Sequence, residues 1–183
     1  PTALAPATGD LQTDYPQVVK NLEAFIKANL GRNASGEAAL ILSEIYSEYK
    51  MNEKATEALG QVLSQWDDKS ILYYVMQMRT GDLWATVENC EKATSYWQVV
   101  ANSESFIATQ AQLKLGVCLQ RIGQFDQAKS WFEKINKKSP NSSEAFSAKR
   151  YIRFLEFKSK SKGEPMTEDK AQTKTNKADK KSS

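Results

Sequence analysis

The chain has 183 residues, 40% hydrophobic and 26% charged, with eight glycines and five prolines. That is enough chain for one domain with a real core, and its Ala, Glu, Lys, Leu and Gln content points to an all-helical protein. The net charge of +3 lies wholly in residues 159–183, which hold seven lysines and four acids. Residues 1–158 balance 18 basic against 18 acidic side chains, so the folded body lacks the charge excess expected of a nucleic-acid-binding domain.

No run of 18 apolar residues occurs, so no segment of this sequence reads as a membrane-spanning helix. Because the first residue is Pro1 rather than methionine, the chain is expected to be a processed or trimmed product, with room upstream for an anchor or signal segment. Residues 1–13, rich in Pro, Ala and Thr, read as a flexible lead-in. Asp14 is placed to cap a helix with Pro16 in its first turn. Val18, Val19, Leu22, Phe25 and Ile26 form its apolar stripe, and Gly31 ends it. A second helix starts at Asn33 or Ser35 and runs to about Lys50, and a third follows from about Asn52 to Trp66. Asp67-Asp68 reads as the cap of the next, which reaches Asp82 and extends toward Thr86. Helices over 89–102, 105–122 and 125–137 come next. Asn141, with Glu144 three residues on, has the spacing of a capping pair. It opens a last helix whose Ala145, Ala148, Ile152 and Leu155 face back onto its predecessor. From Ser159 onward almost nothing is apolar, and such a segment cannot offset the entropy of folding, so 159–183 is expected to be disordered.

The most informative stretch is Gln112–Pro140, QLKLGVCLQRIGQFDQAKSWFEKINKKSP. Leu115, Gly116, Leu119, Gly123, Phe125, Ala128, Phe132, Ile135 and Pro140 stand at the positions of the tetratricopeptide repeat (TPR), which this stretch resembles, with Gln112 in place of the usual Trp. Two helices that cross closely need small residues where their backbones meet, and Gly116 and Ala128 supply them. Gly81, Trp84, Ala93, Trp97 and Val100 repeat the spacing upstream. Ser43 and Ala55 repeat it again, with Leu42, Tyr46, Leu59 and Val62. The alanines at 55, 93 and 128 lie 38 and 35 residues apart. The roughly four extra residues after Val62 equal about one helical turn, so they are expected to lengthen a helix without rotating its apolar face. The reading is an all-α, TPR-like α-solenoid over 14–158. Its repeats fall at about 36–68, 74–105 and 109–140, with an N-terminal packing helix and a capping helix at 141–158.

Histidine is absent, which removes imidazole catalysis and the commonest zinc ligand, and no phosphate-loop, dinucleotide or nucleophile-elbow motif is present. No enzymatic activity, cofactor or metal is expected. The Asn33-Ala34-Ser35 and Asn141-Ser142-Ser143 triplets match a glycosylation acceptor but fall where helix caps are expected. Cys90 and Cys118 read as small buried thiols, with a disulfide between them as the alternative.

The TPR resemblance implies a concave face, lined by the first helix of each repeat, that binds a peptide or protein segment. Carried over by register, that face comprises Glu37, Leu40, Glu44, Ser47 and Glu48; then Val75, Met78, Asp82 and Ala85; then Gln110, Leu113, Val117, Gln120 and Arg121. The carboxylate-gripping Lys, Asn and Arg of the family's chaperone-binding members are replaced by Leu40 and Glu44, Met78 and Asp82, Leu113 and Val117. Recognition of acidic C-termini is therefore not expected. An apolar stripe of Leu40, Met78, Leu113 and Val117 beside acids implies an amphipathic or basic-apolar partner segment. The competing reading has the helix at 15–30 covering these side chains.

The order LEAFIKANLG, then GEAALILSEIYSEYKMNEKATEALGQVL, the repeats, and SSEAFSAKRYIRFLEF is similar to bacterial YfgM-type envelope proteins. These carry one N-terminal membrane helix and a TPR domain facing the periplasm, several acting beside the secretion translocon or with periplasmic chaperones. That resemblance implies an adaptor, monomeric by preference, on the periplasmic side of a bacterial inner membrane. A cytoplasmic location is the alternative, and membrane contact would come only through a missing anchor or the basic tail. The alternative function is a structural assembly subunit that works by helix stacking.

Overall fold

A computed structural model of the protein describes residues 8–66 and 69–163. Its elements are all helical: α1 (Leu11–Asp14), α2 (Pro16–Ala28), α3 (Asn33–Glu48), α4 (Asn52–Leu63), α5 (Ile71–Thr86), α6 (Cys90–Ala101), α7 (Ala108–Arg121), α8 (Phe125–Lys138) and α9 (Ser143–Gly163). From α2 to α9 each helix packs on the one after it, and α3 also meets α5 as α7 meets α9. The pairs α3/α4, α5/α6 and α7/α8 are the three repeats, so the fold is the TPR-like α-solenoid that the spacing implied.

The repeat shows in the backbone as clearly as in the side chains. After the first helix of each pair the chain passes through one residue in the left-handed region: Lys50 (φ +60°), Glu88 (φ +59°) and Gly123 (φ +82°). At each turn the next residue's N–H reaches back five positions, Met51 to Tyr46 at 2.8 Å, Asn89 to Trp84 at 2.9 Å and Gln124 to Leu119 at 2.9 Å. Lys50, Glu88 and Gly123 themselves donate to Ser47, Ala85 and Gln120. This double closure satisfies carbonyls that a helix end would otherwise leave orphaned. The first repeat, the least regular in sequence, makes the same turn as the other two.

Hole and knob are matched in size. A Cβ on Gly81 would lie 2.5 Å from the Trp97 indole nitrogen, and one on Gly116 would lie 2.5 Å from Cε1 of Phe132. In the first repeat the corresponding residues are Ser43 and Leu59, both fully buried. The smaller knob there accompanies a hole that keeps a side chain. Gln112, where the family has Trp, is 1% exposed, and its amide donates to the Ala101 carbonyl at 2.9 Å, capping the end of α6. Two hydrophobic clusters run the length of the stack. Helix α5 joins them, giving Met76 and Leu83 to the N-terminal cluster and Met78 to the C-terminal one.

Several local expectations are corrected. Residues 11–14 of the lead-in are helical, capped by Asp10 and anchored by buried Leu11, whereas 1–7 lie outside the described residues. Asp14 does not cap α2. Its carboxylate accepts from the Thr8 hydroxyl at 2.8 Å, the Gly9 amide and the Tyr49 hydroxyl at 2.8 Å, tying the N-terminal segment to α3. Val18 and Phe25 face solvent, leaving Ile26 as the buried contact of α2, because α2 rests on one side only. Asp67-Asp68 lies outside the described residues, and the side chain that caps α5 is Ser70. Helix α4 has the same 12 residues as α6, whereas α5 has 16 residues against 14 in α7, so most of the extra length does lengthen a helix, the one that follows α4. In the connection between them Trp66 packs over Gly36. Asn33 is the first helical residue of α3, after the uncapped Arg32. Ser142, not Asn141, caps α9 by accepting from the Ala145 amide. Helix α9 continues through Gly163, so 159–163 of the presumed tail are helical and 164–183 lie outside the described residues.

The largest correction concerns Cys90 and Cys118, which form a disulfide with Cα atoms 5.3 Å apart. Cys90 opens α6 and Cys118 lies in α7, so the bond crosses the boundary between the second and third repeats.

Candidate interaction surface

The first helices of the repeats, together with α9, present one face carrying three successive hollows. The first, about 370 Å³, is lined by Leu40 and Glu44 of α3, Val75, Met78, Arg79 and Asp82 of α5, and Ile107, Gln110 and Lys114 from the start of the third repeat. The second, about 490 Å³, is lined by Asp82, Ala85, Thr86 and Trp97, by Leu113, Lys114, Val117 and Arg121 of α7, and by Ser147 and Tyr151 of α9. The third, about 370 Å³, lies between Gln120 and the α9 residues Ser147, Arg150, Tyr151 and Phe154.

A polar saddle separates the first two. Gly81 leaves room for Trp97, whose indole N–H donates to the Asp82 carboxylate at 3.1 Å and to the Met78 carbonyl at 3.3 Å. The Lys114 ammonium reaches the same Asp82 oxygen at 2.5 Å, spanning α5 and α7. Both partners are about one-third exposed, so solvent screens the pair and it fixes geometry more than it adds stability.

Most of the residues expected by register do meet here. Leu40, Glu44, Met78 and Asp82 share the first hollow, while Asp82, Leu113, Val117 and Arg121 share the second. Gln120 lines the third. Two of them differ in what they offer. Met78 is only 7% exposed and belongs to the core, and Asp82 is occupied by Lys114 and Trp97 rather than free to meet a partner. Glu48 stands exposed at the end of α3, apart from these hollows. Register alone missed Lys114, Tyr151 and Phe154. The last two belong to α9, which the sequence presented as a cap. Gln120, which lines the third hollow, has a buried side-chain oxygen with no hydrogen-bond partner.

Helix α2 does not cover this face. It docks on the far side of α3, where Glu23, Ile26 and Lys27 meet Leu42, Tyr46 and the α4 residues Lys54 and Glu57, and the Tyr46 hydroxyl donates to Glu23. Charge is mixed at the α3 end, where Glu44, Arg79, Asp82 and Lys114 line one hollow, and basic at the α9 end, where Arg121 and Arg150 stand. Glu37 is exposed on α3 outside the hollows. Among the described residues no cluster of three or more His, Cys, Asp or Glu is placed to hold a metal, and no helix is long and apolar enough to cross a membrane.

Residues 110–142 match the tetratricopeptide repeat family. Two solved structures of MamA share the fold. One, MamA from AMB-1, superposes with a TM-score of 0.57 at 19% sequence identity, over 86% of this chain and 89% of that one. The other superposes with a TM-score of 0.52 at 18% identity, over 85% and 96%. No curated protein sequence matches the chain. The matched repeat and the shared fold together support a TPR protein, of the kind that commonly serves as a protein-interaction scaffold.

Proposed function

We propose that the protein is a non-enzymatic scaffold that holds a segment of a partner protein along the face formed by α3, α5, α7 and α9. The observation that carries this reading is the row of hollows with an apolar floor (Leu40, Leu113, Val117, Tyr151), balanced in charge at the α3 end and basic at the α9 end. A bound segment would bury apolar side chains in that floor and be oriented by charge, its acidic end toward Arg121 and Arg150 at the α9 end. We further place the protein in an oxidising compartment, the periplasmic side of a bacterial inner membrane. The support is the Cys90–Cys118 bond, since such bonds persist outside the reducing cytosol, together with the likeness of the helix order to envelope TPR proteins.

The test is a photo-crosslinker placed at Leu113 or Gln110, compared with one at Gln127 on the exposed side of α8. Capture from the first two positions, lost with Arg121→Glu, supports the reading. Equal capture from Gln127, or capture that ignores Arg121→Glu, would overturn it. Met78 is unsuitable for such a test, because a charge there would enter the core.

A further inference from the structure

Terminal helices of repeat arrays are expected to turn a polar face outward. Helix α9 does not: Phe146 is 61% exposed, Phe154 50% and Phe157 72%. The register explains where this face comes from. Gln112, Leu115, Gly116 and Leu119 form the face of α7 that receives its neighbours, with Gly116 against Phe132 of α8. Advancing 34 residues gives Phe146, Lys149, Arg150 and Arg153. The outer face of α9 is therefore the first-helix face of a fourth repeat that has no second helix among the described residues. At the point where Gly116 admits a ring, Arg150 instead projects a guanidinium.

We propose that this face is a second docking surface and that its occupant is an acidic amphipathic helix of a partner protein. Phe146 and Phe157 lie along the middle of the face with Arg150 and Arg153 between them, the two arginines having no acid partner among the described residues. Lys149 lies over the Phe146 ring at 5.3 Å. Glu156, three residues beyond Arg153 on the same helix, is already paired with Lys129 at 3.4 Å. An occupant must cover apolar rings and neutralise cations in the same stripe, which an acidic amphipathic helix does. Residues 164–183 of this chain are a poor match, with five lysines against four acids and Met166 as their only large apolar side chain. A second copy face to face would set arginine against arginine, which is repulsive. This surface is separate from the three hollows, apart from the shared edge at Arg150 and Phe154.

The probe is a fluorescein-labelled peptide with the sequence of α8, Phe125–Lys138, in which the four lysines are changed to glutamate. It is titrated into the full chain by anisotropy. Saturable binding is expected, weakened about tenfold or more by Phe146→Ser with Phe157→Ser, by Arg150→Glu with Arg153→Glu, and by added salt. The Leu113→Asp variant should bind within about twofold of the parent, which separates this surface from the concave reading. No binding would overturn the proposal, as would equal binding of the lysine-bearing peptide or indifference to both double variants. A sedimentation dimer dissolved by Phe146→Ser with Phe157→Ser would identify a second copy as the occupant instead. Binding that appears only after deletion of 164–183 would identify the chain's own tail.

Discussion

Phe132 occupies the space that a side chain on Gly116 would need, with its Cε1 only 2.5 Å from where that Cβ would stand. A buried ring at zero exposure cannot retreat cheaply. Gly116→Ala should therefore cost about 1–3 kcal/mol through forced repacking. Gly60, in the middle of α4, has nothing within 4 Å of its would-be Cβ. Gly60→Ala should instead stabilise by up to about 1 kcal/mol through helix propensity. Urea unfolding of the two variants checks the opposite signs.

The three inter-helix turns offer a comparison within one molecule. Lys50 and Glu88 hold the left-handed conformation that Gly123 adopts without strain. Lys50→Gly and Glu88→Gly should each stabilise by about 0.5–1 kcal/mol, and Gly123→Ala should destabilise by about 1 kcal/mol. Thermal melts of the three single variants decide it.

The Cys90–Cys118 bond closes a loop with a separation of 28 residues. By loop entropy alone it is worth about 3–4 kcal/mol. Reduction, or Cys90→Ala with Cys118→Ala, should lower the melting temperature of the α6–α7 region more than that of α2–α4. Hydrogen exchange resolved by peptide would show that difference.

Acid and alkali should act on the N-terminal end first. Burial alone would raise the Asp14 carboxyl, but the hydrogen bonds from Thr8, Tyr49 and Gly9 outweigh it and hold it below its ordinary value of 3.8. A depressed carboxylate contributes stability above that value and loses it as pH falls below it. Burial first, and then the bonds to Glu23 and Asp14, push the Tyr46 and Tyr49 hydroxyls above their ordinary value of 10.0. Their contribution is complete below that pH and is lost as it rises past the folded value. Protection of the Thr8 and Gly9 amides relative to their intrinsic exchange should fall as pH drops below 3.8, and Asp14→Asn should reproduce this at neutral pH.

The parts of the fold that size dictates could be read in the chain. Two helices meet only if something small stands at the crossing, so Gly81, Ala93, Gly116 and Ala128 announced themselves by residue type. Lys50 and Glu88 could not, since neither type signals a left-handed turn. Only their alignment with Gly123 does, once the structure supplies it. The site was legible as a set of register positions but not as a set of available groups. Asp82 is inward by register, yet its carboxylate is taken by Trp97 from the next helix and Lys114 from the next repeat. The disulfide stands in the sequence only as an alternative, because nothing local to Cys90 or Cys118 marks two residues brought together by stacking. Helix α9 is legible in the sequence through the side chains it buries, whereas nothing in residue type says that Phe146, Phe154 and Phe157 turn outward.

A stack whose units touch only their neighbours would come apart like a pulled thread, one pair at a time. The covalent staple between α6 and α7 interrupts that unravelling. Tension applied at the two ends could strip the outer helices but would leave the segment between the two cysteines gathered. The fully extended chain would then fall short by roughly 100 Å. The stack would thereby resist being drawn out under load.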